Sequence, residues 1–157
     1  MAEKAIPNLA AAARIARRVE LKDVCIQEMS AKRHGPAKEI LSPEFTDSYD
    51  LKKEDSKLEI LCHHHLKATS AGDEVAEITV LLKLIYEIGV AAEPINEADL
   101  PIFADANGAY HSWPFVREIY HSLTSRMGLP PFVLPVLRLA NAVPTKTPET
   151  SVEKKPE

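Results

Sequence analysis

The chain has 157 residues, a single-domain length, of which 45% are hydrophobic and 27% charged. That apolar fraction supports one buried core and excludes a disordered chain, and no apolar run approaches the roughly 20 residues of a membrane span. A formal charge of −4 argues against nucleic acid as the main partner, because phosphate binding needs a basic face.

The N-terminal stretch MAEKAIPNLAAAARIARR has no sustained apolar core ahead of a cleavage site, so no secretory signal is read there. Its alanines predict a short helix over about residues 7–17, with Leu9, Ala12, Ala13 and Ala16 on one side. The period then changes to two. Val19 and Leu21 share one face and Val24 and Ile26 another, with a slip at Lys22–Asp23 that predicts a β-bulge. Ala31–Pro43 reads as a polar link, because Gly35, Pro36 and Pro43 oppose regular structure. A second strand follows, with Phe45, Tyr49 and Leu51 alternating with polar residues.

The next two segments form a long antiparallel hairpin. Leu58, Ile60, Cys62, His64, Leu66 and Ala68 share one face of the first, Ala71-Gly72-Asp73 turns the chain, and Ala76 to Val90 carry an unbroken apolar face on the second. Beyond a loop at 91–96, residues 97–106 suggest a short helical stretch. A longer helix is predicted from Ser112 as N-cap, with Pro114 in its first turn and Phe115, Val116, Ile119, Tyr120, Leu123 and Met127 as its stripe. Gly128 ends it, Pro130-Pro131 prevent its resuming, and Phe132 to Leu139 form a last apolar segment. Residues 1–141 read as one domain, and the proline-rich, charged residues 142–157 as a disordered tail. The fold class is thus α+β: a four-stranded antiparallel sheet with one apolar face and one long helix on it. One helix covers only part of so long a sheet, so the remaining apolar surface is expected to meet another subunit or a ligand.

Chemistry-bearing patterns are few. His63 and His65 share a strand face at a spacing that can hold zinc, but no third and fourth ligand match, and no metal or cofactor is expected. Cys25 and Cys62 lack a CxxC spacing and read as reduced, buried small hydrophobes in a cytoplasmic protein. No nucleophile elbow or phosphate loop is present, and no enzyme is expected. Between Asp73 and Asp105 lie eight acids and one base. Such a block reads as a solvated face, or as an acidic surface for a basic partner.

The stretch Gly108-Ala-Tyr, Trp113-Pro114-Phe115-Val116-Arg117-Glu118, Leu123-Thr124-Ser125-Arg126 and Leu129-Pro130-Pro131 with Leu134 resembles the signature of the SecB family. The order of four strands with a crossover loop at 31–43 agrees. The resemblance implies an ATP-independent cytosolic chaperone, assembled as a dimer of dimers (a homotetramer), that holds unfolded clients or export preproteins in apolar grooves. It also raises the translocation ATPase SecA as a partner, with Asp23 matching one acidic docking position, while Gln27, beside Glu28, stands where the family has another acid. The lack of a second C-terminal helix makes the chain more similar to the SecB-like chaperones of toxin–antitoxin systems, whose client is an antitoxin. On this reading the client groove is expected at Ile40, Leu41, Phe45, Tyr49 and Leu51, with Ile102 and Phe103 as the opposing wall. The oligomer interface is expected at Trp113, Phe115, Arg117, Ile119, Tyr120 and Leu123.

Overall fold

A computed structural model describes residues 2–38, 40–90 and 93–142; the expected tail beyond Ala142 lies outside them. The core is a four-stranded antiparallel sheet of β2 (Val19–Arg33), β3 (Ser42–Glu54), β4 (Lys57–Ser70) and β5 (Asp73–Ile88), in the order β2-β5-β4-β3. The link at 34–41 therefore carries the chain from one edge of the sheet to the other. Alternation decides what is buried. Leu58, Ile60, Cys62, His64, Leu66 and Ala68 of β4 and Ala76, Ile78, Val80, Leu82, Leu84 and Tyr86 of β5 are all within 2% of full burial, on the inner face. At the β4–β5 turn, Ala71 and Gly72 both have positive φ, the backbone of a two-residue hairpin whose twist matches its strands. The expected slip appears as a register shift between Leu21 and Asp23, and a second lies between Ile26 and Glu28.

The polar link is shorter than expected. β2 continues to Arg33, and β3 begins at Ser42 with Pro43 inside it. β3 is an edge strand, where a proline without an N–H interrupts no ladder on its open side.

The helical half also differs from expectation. Residues 97–106 and the helix expected from Ser112 are one helix, α2 (Leu100–Arg126), preceded by a 3-10 turn at Glu97–Asp99. Pro114 lies inside it, and Ser112 is not its cap. Asn-Gly is by local propensity a turn pair, yet Asn107-Gly108 lies inside α2 as a packing site. A Cβ at Gly108 would stand 2.5 Å from Tyr49 Cδ1, so the missing side chain lets α2 press onto β3. Gly128, at φ +67, ends the helix, with the Leu129 N–H donating to the Thr124 carbonyl at 3.0 Å.

Two short strands escape the sequence pattern altogether. β1 (Ala2–Ile6) and β6 (Leu137–Asn141) pair in parallel as a separate sheet. Following β1 in the chain, α1 (Leu9–Ala16) is capped by Asn8, whose Oδ1 accepts from the Ala11 N–H at 3.1 Å. Ile6, Ala12 and Ala106 pack together where α1 meets α2, with Ile102 against them.

Helix propensity alone favours alanine over glycine at position 108 by about 0.5–1 kcal/mol. The contact with Tyr49 reverses that preference. Gly108→Ala should lower unfolding free energy by on the order of 1–2 kcal/mol in urea titrations, and Tyr49→Leu in the same background should restore part of it. A stabilised Gly108→Ala chain would contradict the close approach.

Candidate functional site

α2 packs against β3, β4 and β5 and makes few contacts with β2. The inner face of β2 is therefore left without a roof. Val24 and Ile26, which pair with Leu84 and Leu82, belong to that face, as does Met29, opposite Val80. Ile26 and Met29 are 51% and 47% exposed. Across from them Tyr110, Pro114 and Phe115 project from α2, so two hollows of about 510 and 400 Å³ join along β2 through Val24, Pro114 and Phe115. Val136 extends this apolar surface beyond the helix.

The other flank of α2 carries a second groove, of about 580 Å³, along edge strand β3. Tyr49, Leu51, Leu100, Pro101 and Ala104 make its apolar wall and floor, and Asp50, Lys53, Glu97 and Asp105 its rim. The Lys53 Nζ meets Glu97 Oε1 at 3.2 Å, joining β3 to the start of the helix.

The expected client residues are distributed among several places. Tyr49 and Leu51 line the β3 groove. Phe45 turns into the core, edge-on to Trp113 and Tyr120. Leu41 packs with Ala68, Val75, Ala76 and Leu129, and Ile40 stands 89% exposed in a shallow hollow with Arg33 and Pro130. Ile102 faces α1, and Phe103 is fully buried against Tyr86. The wall opposite β3 is formed instead by Leu100, Pro101 and Ala104. Sequence reasoning missed them because the helical phase at 100–105 is set by a helix read as two pieces.

Of the expected interface residues, Phe115 lies on the β2 flank at 45% exposure, while Tyr120 is fully buried within the chain. Ile119 is 8% exposed below Phe115, and Leu123 is half-buried. Trp113 and Arg117, one helical turn apart, hold the returning chain. The Trp113 Nε1–H donates to the Pro135 carbonyl and the Arg117 Nε–H to the Leu134 carbonyl, both at 2.7 Å. Thr124 Oγ1 adds a third tie, accepting from the Phe132 N–H at 3.0 Å.

A polar network adjoins Tyr49. The Lys4 ammonium donates to Asp47 Oδ2 at 3.0 Å and lies 4.6 Å over the Tyr49 ring. Tyr49 donates its own hydroxyl to Asp47, so burial and that bond push its pKa upward. His64 Nε2 meets Ser112 Oγ at 2.9 Å under α2, while its Nδ1 is buried without a partner. Burial pushes the Cys62 thiol up to about 12, so it stays protonated and packs as an apolar group. On the outer face, His63 and His65 each meet a carboxylate, Asp50 at 3.1 Å and Glu77 at 3.0 Å.

No family model matches this chain. Two curated proteins of Mycobacterium tuberculosis do. The SecB-like chaperone Rv1957 of strain H37Rv is 24% identical over 150 residues, covering 80% of this chain and 81% of that one. The SecB-like chaperone MT2006 of strain CDC 1551 is 23% identical with the same coverage. A solved structure of Rv1957, in complex with a ChAD peptide from the Rv1956 HigA1 antitoxin, superposes with a TM-score of 0.75 at 22% identity. It covers 81% of this chain and 96% of that one. The chain is SecB-like in sequence and in fold. The SecB-like signature at 108–137 has a structural account in this chain. Gly108 admits Tyr49 to the helix, and Trp113 and Arg117 fasten the proline-containing segment back along it.

The buried His64 makes a stability prediction. Burial holds its pKa down to about 4, against an ordinary 6.5, with Lys4 and His63 adding to that depression and Asp47 opposing it. Above pH 6.5 neither the folded nor the unfolded chain binds this proton. Between 6.5 and 4 the unfolded chain takes up a proton that the folded chain refuses, so stability falls as the pH drops through that window. The loss from this group is roughly 3 kcal/mol, and His111, also depressed by burial, acts in the same direction. Urea unfolding measured from pH 7 to 4 should show the decline, and His64→Gln should flatten most of it. An equally steep profile in His64→Gln would place the titration elsewhere.

Proposed function

We propose that this chain is an ATP-independent chaperone that holds an extended, unfolded segment of a dedicated partner polypeptide in the cytoplasm. An antitoxin is the partner class we favour. The observation that carries the reading is the apolar surface left on both flanks of α2 in a SecB-like fold. The solved relative bound to an antitoxin peptide supports an antitoxin over export preproteins as the client. A broad holdase for preproteins is the second reading. No catalysis is proposed, since the curated relatives carry chaperone names.

The two flanks suit different tasks. The β3 groove combines an apolar floor with a charged rim and an open strand edge, which fits a segment that must bind and leave. The β2 flank presents Ile26, Met29, Tyr110 and Phe115, with Arg117 and Glu118 as the charged residues of its lining, a mainly apolar surface of the kind a lasting subunit interface has. On this reading β2 and α2 meet further copies in a dimer of dimers, and the client lies along β3. SecA docking would fall on the outer face, where Asp23 and Glu28 pair with Ile85 and Leu81.

The test separates client binding from assembly. Leu51→Ser should weaken suppression of partner aggregation by about tenfold or more, the ~1.5 kcal/mol of a lost leucine contact, and leave the solution mass unchanged. Ile26→Ser with Phe115→Ser should lower that mass. Full suppression by Leu51→Ser would remove the β3 groove as the client site. Equal suppression across several unrelated unfolded proteins would favour the broad holdase.

A further inference from the structure

Strand β5 opens Asp73-Glu74-Val75-Ala76-Glu77, and strict alternation would send Glu74 and Glu77 to opposite faces. The ladder departs from it. Ala76 pairs with Ala68 but Glu74 pairs with Thr69, so Val75 is an extra residue on β5. This bulge buries Val75 to 3% exposure and returns Glu74 to the outer face beside Glu77. His34, just past the end of β2, is tied to the same bulge. Its backbone N–H donates to the Val75 carbonyl at 2.9 Å, and its Nε2 lies 3.3 Å from Glu74 Oε1. One donor atom from each of His34, Glu74 and Glu77 lies within 4.8 Å of the others, and among the described residues no other such trio gathers this closely.

We propose that His34, Glu74 and Glu77 form a binding site for a divalent transition-metal ion of the zinc type. One imidazole nitrogen and two carboxylate oxygens are the borderline donor set that such an ion takes, and exposure leaves a further position for water. Glu77 already carries an outer support, because His65 Nε2 meets its Oε1 at 3.0 Å. Lys67 Nζ, 3.7 Å from Glu74, is the weak partner an ion would displace. A bound ion would clamp the end of β2 to the start of β5. It would thereby fix the start of the 34–41 link, which bears Ile40 and Leu41, and the site stands independently of the chaperone reading.

The test is calorimetric titration of untagged, full-length protein with zinc chloride, paired with visible absorption on adding cobalt(II). One ion per chain is expected, with a melting temperature that rises with zinc concentration. His34→Ala and Glu74→Gln should each abolish the binding heat while leaving the circular dichroism unchanged. His63→Ala, whose carboxylate partner is Asp50, should retain it. His65→Ala should weaken binding about 10–100-fold through the loss of outer support. Absence of both binding heat and a cobalt band in the parent protein would overturn the proposal. So would binding that survives both His34→Ala and Glu74→Gln.

Discussion

The seating of α2 on the sheet is the constraint from which the rest of the structure follows. At its centre the helix gives up a side chain, Gly108, and β3 supplies the Tyr49 ring to fill the space. One turn later Ser112 meets His64, a polar pair buried among apolar neighbours. A glycine inside a helix is a local cost, and a histidine under it is another, so this contact specifies where the helix sits as well as helping to hold it. The helix lies over β3, β4 and β5, and the fourth strand is left open.

That placement determines what surface remains. A helix shifted toward β2 would roof Ile26 and Met29 and close that flank. Seated on Tyr49, α2 leaves a mainly apolar hollow along β2, with Arg117 and Glu118 in its lining, and a charge-rimmed groove along β3. Strands β1 and β6 then pair beside it, and Lys4 reaches from β1 to Asp47 on β3. That ion pair between the first strand and the third also contacts Tyr49, which lines the groove. Trp113 and Arg117 complete the frame by tying down the segment that leads to β6.

Much of this was legible in the residues. Alternation from Leu58 to Tyr86 identifies the hairpin and its buried face, and Ala71-Gly72 and Gly128 mark backbone positions with positive φ. The slip at Lys22–Asp23 marks the first bulge. Where reading failed, a residue carried a tertiary meaning that its local propensity contradicts. Gly108 and Pro114 look like helix breakers, yet one is a close-packing site and the other an interior residue of α2. Ser112 looks like a cap and is a core partner. The misplaced helix start shifted the expected groove wall from Leu100 and Ala104 to Ile102 and Phe103. β1 and β6 are five residues each and pair across nearly the whole chain, a contact that no local period records.

The central claim is that a polypeptide client lies along β3 against the N-terminal turns of α2. Hydrogen exchange of the protein with and without saturating unfolded client tests it most directly. The account predicts added protection at residues 49–53 and 97–105, with the outer-face positions of β4 unchanged. Protection confined to the outer face, or none at the β3 edge, would contradict it.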